Sequence, residues 1–209
     1  MSDAKPSVAK AIQSQFAPIL RRDGFSGTAQ RYWRVVGDQC QLVEVQGSIQ
    51  GGKFAINLGI QPMSVPLRSG DMPEPKPLRV VECSFYRRLT ILNADQWWDY
   101  DPNQASVDAA AKDACSVYEQ VGKRQLEAMA EPSSPIYTVT PEAFAAGEFS
   151  FNGFHNTKVL VALTLAQMRK TAGNSADARA FARIGLEEIG DRVGGSGLKA
   201  ELHELLESV

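Results

Sequence analysis

The chain has 209 residues, of which 44% are hydrophobic and 22% charged, and its formal net charge is -2. These values are typical of a folded globular protein and give no basic surface for nucleic acid or an anionic membrane. No apolar run approaches the roughly 20 residues that a membrane-spanning helix needs, and the first ten residues lack the apolar core of a secretory signal. The three cysteines have no CxxC spacing, which predicts reduced, mostly buried thiols and a cytoplasmic protein.

The N-terminal segment predicts an amphipathic helix that ends near Gly24. Ile12, Phe16 and Ile19 recur at helical spacing and form one apolar stripe. Pro18 lacks the backbone donor that a helix interior requires, so we expect a kink or a second short turn there.

From residue 31 the hydrophobic period changes to two, the period of a β-strand. The stretch RYWRVV, residues 31–36, places Trp33 and Val35 on one face and Tyr32 and Arg34 on the other. The strands of the predicted sheet begin here and continue to about residue 89.

Residues 43–60, VEVQGSIQGGKFAINLGI, predict a β-hairpin around Gly51 and Gly52. Both glycines tolerate the positive φ of a two-residue primed turn, and that turn would fix the register of the two strands. The register places every apolar side chain on one side, whereas a slip by one residue would expose half of them. The predicted pairs on this apolar side are Ile49 with Phe54, Gly47 with Ile56, Val45 with Leu58 and Val43 with Ile60.

The other side of the predicted hairpin is neither strongly charged nor apolar. In the same register, the expected pairs are Gln46 with Asn57, Glu44 with Gly59 and Ser48 with Ala55. Amides above small residues leave recessed hydrogen-bonding groups, with room for another backbone or a ligand. Alternatively, the two amides bond each other or fix a covering loop such as residues 62–78.

Five prolines between residues 62 and 77 predict a long loop, because proline fits neither a helix interior nor a central strand. Alternation returns in LRVVECSFYRRL, residues 78–89, which predicts a further antiparallel strand beside the hairpin. One face of this strand is expected to carry Val81, Cys83, Phe85 and Leu89. The other face is expected to carry Glu82, Ser84, Tyr86 and Arg88.

Beyond residue 90 the sequence predicts helices. They are expected at residues 106–130, 156–173, 175–190 and 197–208. The predicted fold class is α+β: an N-terminal helix, a small antiparallel sheet built as a hairpin or meander, and a helical C-terminal part packed on one face. We expect an α+β domain over residues 1–130 and a helical C-terminal extension over residues 131–209, formed by an αα-hairpin and a short helix.

Residues that commonly carry catalysis or bind metals are sparse. The only imidazoles, His155 and His203, lack metal-ligand spacing to a cysteine or to each other, and no GxSxG motif presents a serine nucleophile. We therefore expect no metal, no cofactor and no catalytic residue. Trp97 and Trp98 lack the basic surround of a base-stacking platform and are expected to fill the junction between sheet and helices.

Several of these stretches together resemble a known family. The helix ending in ILRRDGF, the strand RYWRVV, the hairpin LVEVQGSIQGGKFAINLGI, and the later RRL and DQWW are similar in order and spacing to the bacterial family called domain of unknown function 4304. The resemblance covers about residues 8–100. It implies the fold of that family and a small cytoplasmic protein, and it brings no catalytic residues. Some members stand in settings that suggest immunity to polymorphic toxins.

The leading functional hypothesis is a non-catalytic binding protein that offers its polar sheet face and proline-rich loop to another protein. The candidate binding residues are Glu44, Gln46, Ser48, Asn57, Ser84, Tyr86 and Arg88. The immunity-like role implied by the resemblance is a specific form of this hypothesis. One alternative is an enzyme or binder of a small polar metabolite that uses Glu44, Glu82 and Arg88. Another is a structural subunit that self-associates through apolar residues of its C-terminal helices.

Overall fold

The computed structural model describes residues 7–92, 94–190 and 196–207. The N-terminal helix has three consecutive segments: α1 (Val8–Ala11), a π-helical turn (Ile12–Phe16) and α2 (Ala17–Arg22). The π turn is explained by Pro18, because a residue without an N–H leaves one carbonyl of the preceding turn without its usual donor. The discontinuity expected at Pro18 is therefore present: just before the proline, the helix has the hydrogen-bond spacing of a π-helix, which is one residue longer than that of an α-helix.

An antiparallel sheet follows this helix. Its strands are β1 (Ser26–Thr28), β2 (Arg31–Val36), β3 (Gln39–Gly47), β4 (Lys53–Pro62), β5 (Phe85–Arg88) and β6 (Trp98–Asp99). The strand order is β1-β2-β3-β4-β5, and the short β6 pairs with the first residues of β4. Every pair is antiparallel and consecutive strands from β1 to β5 are neighbours, so the predicted meander is confirmed.

The hairpin of β3 and β4 is present, but its register differs from the predicted one by two residues. The predicted pairing of Val45 with Leu58 is wrong. The observed pairs are Gly47 with Phe54, Gln46 with Ala55, Val45 with Ile56, Glu44 with Asn57, Val43 with Leu58 and Gln41 with Ile60. A shift by an even number of residues leaves each strand side chain on its predicted face, so the composition of the two faces is retained.

The turn between the strands explains the shift. Gly51 and Gly52 both have positive φ, as predicted, but the loop extends from Ile49 to Gly52 instead of containing the glycines alone. The Ser48 carbonyl accepts from the Gly51 N–H at 3.0 Å, and the Ser48 hydroxyl accepts from the Gln50 N–H at 3.2 Å. A serine that bonds two following amides competes with the two-residue turn. Ile49 consequently lies fully exposed at the tip, so its predicted place on the apolar side is wrong.

The strand predicted after the proline-rich loop is shorter than expected. Only Phe85–Arg88 pairs with β4, and Val80–Glu82 forms a 3-10 turn before it. Val81 is exposed. Cys83 packs over Gly59 in a small apolar cluster. This cluster is separate from the main core, which contains Phe85 at the start of β5. The prediction that these two side chains share one apolar face with the rest of the strand is therefore wrong, because the 3-10 turn interrupts the alternation.

Helices make up most of the chain after the sheet. They are α3 (Gln104–Val117), α4 (Lys123–Ala130), α5 (Pro135–Thr138), α6 (Pro141–Ala146), α7 (Lys158–Thr171), α8 (Ser175–Ile189) and α9 (Ser196–Glu207). A π-helical turn, Tyr118–Gly122, joins α3 to α4, so the predicted long helix is continuous. Helices α7 and α8 form the predicted αα-hairpin, and the Asn174 side chain caps α8 by accepting from the Asp177 N–H at 3.1 Å. None of the helices in the described ranges is long and apolar enough to cross a membrane.

We call the face of the sheet that bears Val43 and Leu58 the inner face, and the opposite face the outer face. The inner face packs against helices in one continuous cluster of buried apolar side chains, which also includes Phe16, Tyr118 and Phe181. This cluster contains residues from both sides of position 130, so the C-terminal helices share a core with the sheet. The fold class is α+β, as predicted, while a domain boundary near residue 130 stays a prediction.

Two glutamines interrupt the apolar inner face and connect it to α4. Gln39 Nε2 donates to the Met129 carbonyl at 2.6 Å and to the Tyr137 hydroxyl at 2.8 Å. Gln41 Nε2 donates to the Leu126 carbonyl at 2.7 Å. The Met129 carbonyl is one of the last four of α4, which have no partner within the helix. The two buried glutamines therefore bind the end of α4 to strand β3.

Candidate binding cleft

The outer face of the sheet borders a cleft of about 710 Å³. Its floor is the polar side of β3, β4 and β5, and its walls include parts of the segment between β4 and β5 and of α7. Six of the seven predicted binding residues line it: Glu44, Gln46, Asn57, Ser84, Tyr86 and Arg88. Ser48 does not, because it lies in the hairpin turn and accepts a backbone hydrogen bond there. The structure thus brings together most of the residues that the strand pattern selected.

Gln46, Asn57 and Arg88 form one hydrogen-bonded group across three strands. Asn57 Nδ2 donates to Gln46 Oε1 at 2.9 Å, and Arg88 Nη2 donates to the same oxygen at 3.0 Å. The Arg88 guanidinium also lies over the Trp97 ring, 4.5 Å from its centroid, and the Lys53 ammonium lies 5.3 Å from that centroid. Both distances are those of cation–π contacts. The two amides bond each other, as one alternative predicted, and the arginine joins them.

The carboxylates of Glu44 and Glu82 hold the segment that precedes β5. The Glu44 carboxylate accepts from the Val80 N–H at 3.0 Å and from Arg79 Nη2 at 3.3 Å. The Glu82 carboxylate accepts from the Arg79 N–H at 2.8 Å. These bonds resemble the loop-fixing role considered above, at residues just beyond the expected loop. Among the residues described by the structure, no three His, Cys, Asp or Glu side chains converge as possible metal ligands.

Ser84 and Tyr86 connect the cleft to neighbouring segments. The Ser84 N–H and hydroxyl donate to Gln61 Oε1 at 2.9 and 3.0 Å. Gln61 is buried, and its Nε2 donates to the Val65 carbonyl at 3.0 Å, so one amide ties the proline-rich loop to β5. The Tyr86 backbone exchanges two hydrogen bonds with His155, and the two rings lie 4.8 Å apart. These residues therefore order the cleft margin.

Part of the outer face is covered and does not open into the cleft. A Cβ atom at Gly59 would lie 2.8 Å from Cys83 Sγ and 3.3 Å from Val80 Cα, so only a glycine lets this segment approach so closely. Burial raises the pKa of Cys40 to about 11 and also raises the pKa of Cys83. Both thiols are therefore neutral near pH 7 and serve packing. All three cysteines are free and buried, as the sequence predicts.

The sequence pattern does not identify two residues that shape the cleft. Trp97 contacts Arg88 on the outer face, whereas only Trp98 fills the predicted junction, where its ring stacks on Phe54. Neighbouring residues of an extended chain point to opposite sides, and this separates Trp97, just before β6, from Trp98 in it. Asn156 Nδ2 donates to the Ser84 carbonyl at 3.2 Å, which links the start of α7 to the cleft. No local pattern marks a contact between residues so far apart in the chain.

The geometry defines a class of protein: a small α+β protein whose antiparallel meander packs helices on its inner face and borders a polar cleft on its outer face. The chain belongs to the family described as Domain of unknown function (DUF4304), which matches residues 16–128, more than half of the chain. The family expected from the sequence motifs is therefore confirmed. The matched residues contain the whole sheet, whereas α7 lies outside them. Comparison with curated proteins and with solved structures found no match.

Proposed function

We propose that the protein binds a segment of another protein in the cleft and has no catalytic role of its own. The observation that carries this proposal is the unused half of the amide pair. Gln46 Nε2 and Asn57 Oδ1 form no hydrogen bond with any described residue, although the other amide atoms of both side chains are engaged. A free donor beside a free acceptor matches the C=O and N–H of a peptide group.

The orientation of the two amides follows from the arginine beside them. A guanidinium can only donate hydrogen bonds, so Gln46 has to turn its oxygen toward Arg88. Asn57 then has to turn its NH₂ group toward the same oxygen, which leaves its own oxygen free. Side chains that are held in place before binding lose less conformational entropy when a partner arrives. This preorganisation supports a role in recognition.

Binding of a small polar metabolite is the second candidate. The volume of about 710 Å³ supports it, since small-molecule sites typically measure roughly 300–1,000 Å³. Catalysis by Glu44 and Glu82 has less support, because both carboxylates already accept hydrogen bonds from the segment that precedes β5.

The immunity-like role stays a prediction, as a more specific form of protein binding, and a bacterial origin also stays a prediction. An immunity-like role implies a stable complex with a toxin that buries about 1,200–2,000 Å². A cytoplasmic location is part of this proposal and is supported by the three free, buried cysteines.

Self-association through the C-terminal helices has less support, because the large apolar side chains exposed in the described residues all precede those helices. They are Val35, Val36, Ile49, Met72, Val81, Ile91 and Leu92.

Affinity purification from the source cells, followed by mass spectrometry, tests the proposed function. The exposed Gln46 is replaced in a Gln46→Trp variant that fills the cleft floor, and Lys112→Trp on the exposed side of α3 serves as the matched control. We expect a protein partner with the wild type and the control and its loss from Gln46→Trp. A partner that Gln46→Trp retains would contradict binding in the cleft. A small molecule lost only from Gln46→Trp would favour the second candidate.

A further inference from the structure

The arginines that line the cleft are paired with carboxylates, with one exception. Arg68 Nη1 lies 3.0 Å from Glu201 Oε1, and Arg79 Nη2 lies 3.3 Å from Glu44 Oε1. Arg88 forms no ion pair with any residue in the described ranges. The cleft therefore presents one guanidinium whose charge is not balanced by a carboxylate in contact with it.

The hydrogen-bonding capacity of Arg88 is also largely unused. Its Nη2 donates to Gln46 Oε1, while its Nη1 is closed to solvent and has no acceptor among the described residues. A buried donor without an acceptor is unfavourable and is rare in folded proteins. An acceptor brought by a ligand can relieve this cost only if the guanidinium moves, because Nη1 is closed to solvent. The same side chain thus lacks a counter-charge in contact with it and lacks an acceptor for Nη1.

A carboxylate suits this position better than a phosphate group does. The planar guanidinium matches a carboxylate in two parallel hydrogen bonds. Three carboxylates, those of Glu44, Glu82 and Glu201, line the same cleft and would repel a group with two negative charges more strongly than a group with one. Sites that recognise phosphorylated segments usually gather several arginines, whereas here the other two lining arginines are already paired.

We propose that the bound segment carries an aspartate or glutamate whose carboxylate binds the Arg88 guanidinium, while a neighbouring peptide group of the segment bonds Gln46 Nε2 and Asn57 Oδ1. The inference rests on the proposed function and names the chemistry of the partner. Gln46 Oε1 lies 3.0 Å from Arg88 Nη2 and 2.9 Å from Asn57 Nδ2, so the three groups form one compact site. One or two consecutive residues of an extended chain, at roughly 3.3–3.6 Å per residue, span it.

Selection from a phage-displayed library of random linear peptides tests this proposal. The wild-type protein is expected to enrich peptides with Asp or Glu at one fixed position, and the Arg88→Gln variant is expected to lose that preference. Recovery of peptides without an acidic preference would overturn this inference and leave the proposed function standing. Recovery of no binding peptide at all would overturn both.

The affinity of one selected peptide then measures the contact directly. Replacing its acidic residue by the matching amide should weaken binding to the wild type about 10- to 100-fold, as expected for a charge-assisted hydrogen bond. The same replacement should change the affinity for Arg88→Gln less than about threefold. An equal loss with both proteins would overturn the proposal. Because the peptide replacement needs only the unmodified protein, the requirement for a carboxylate is tested even if Arg88→Gln is unstable, and the Arg88→Lys variant described below then tests the contact with Arg88.

Two further variants separate recognition from general effects of charge. Arg22→Gln lowers the net charge by the same amount on α2, outside the cleft, and should leave the affinity unchanged. Arg88→Lys keeps the charge without the planar fork, so it should retain only part of the acidic preference. A loss with Arg22→Gln equal to that with Arg88→Gln would show long-range attraction and overturn the assigned contact. Urea unfolding of each variant verifies that it is folded.

Discussion

Strand β3 carries amide side chains on both faces of the sheet, and the two sets differ in how fully they are bound. On the inner face, Gln39 and Gln41 are completely buried and donate to backbone carbonyls near the end of α4. On the outer face, Gln46 is exposed and its NH₂ group has no partner among the described residues. The same chemical group supports the fold where its partners belong to the chain, and it is available to a ligand where they do not.

The difference arises from the period of the strand and from what faces each side. Residues 39 and 41 point toward the end of α4, where the last carbonyls, including that of Met129, lack helical partners and a glutamine can supply donors. Residue 46 points to the other face, where Asn57 and Arg88 use its oxygen alone. Predictions about stability therefore separate the two faces, because an inner amide is expected to matter for folding and an outer amide for binding.

The largest effect is expected from Gln39→Ala. The variant loses the bonds to Met129 and Tyr137 and leaves a buried carbonyl without that donor. We expect the free energy of unfolding to fall by about 2–4 kcal/mol. Urea denaturation followed by circular dichroism measures this change.

The matched control for Gln39→Ala is Gln46→Ala on the outer face of the same strand. Gln46 is exposed, so its removal should change the free energy of unfolding by no more than about 0.5 kcal/mol. If the two variants were equally destabilised, the exposed amides of the outer face would contribute to folding as much as the buried, fully hydrogen-bonded amides of the inner face. The outer amides would then have a structural role. The proposed difference between the inner and outer amides of β3 would then be wrong.

A somewhat smaller effect is expected from Gly59→Ala, at the covered part of the outer face. The added methyl group would lie 2.8 Å from Cys83 Sγ and 3.3 Å from the Val80 backbone, so the covering segment has to move. We expect a loss of about 1–3 kcal/mol, the usual cost of overpacking. In β3, Gly47 has open space around its Cα, and Gly47→Ala is the control that should change stability little.

Thiol labelling indicates where Gly59→Ala acts. In the wild type, burial of Cys40 and Cys83 keeps both thiols protonated near pH 7 and hidden from reagents. If the covering segment is displaced, these two should react faster with iodoacetamide than in the wild type, while Cys115, in the main core, should keep its rate. Equal acceleration of all three would indicate global destabilisation instead of local opening.

The third effect is expected from Glu44→Ala, which removes the carboxylate that accepts from Val80 and Arg79. A loss of about 1–2 kcal/mol would follow from one charge-assisted backbone hydrogen bond. Glu44→Gln keeps an acceptor for the Val80 N–H and loses only the pair with an exposed arginine, so it should lose less than about 1 kcal/mol. A larger loss with Gln than with Ala would contradict a loop-fixing role for the carboxylate.

Alternation alone predicts which side chains share a face, and this explains why most of the candidate cleft could be found from sequence. A shift by two residues preserves every face, so the same pattern could not reveal that Ser48 starts the turn and moves the register. The role of the inner glutamines could not be predicted from sequence, for a different reason. A polar residue on an apolar face gives no sign of the helix end that satisfies it, since the Met129 carbonyl is 90 residues away.

The walls of the cleft could not be predicted either, because they come from distant segments. Asn156 and α7 are brought to the sheet by the packing of the C-terminal helices, and no local period encodes that contact. The 3-10 turn at Val80–Glu82 has a local cause, but the alternating sequence pattern does not indicate it. Its Glu82 carboxylate bonds the Arg79 N–H, and this capping bond overrides an alternating pattern that otherwise favours strand.

The smallest effect is expected in the coupling between Gln46 and Asn57. A double-mutant cycle with Gln46→Ala, Asn57→Ala and the double variant should give a coupling energy for folding of about 0.5 kcal/mol or less, because Gln46 is exposed to water. In peptide binding, the same cycle should give a larger coupling, since each amide orients the other toward the ligand. A folding coupling above about 1.5 kcal/mol would place the outer pair with the buried inner glutamines. The free donor and acceptor would then be remnants of a structural contact and not a recognition site.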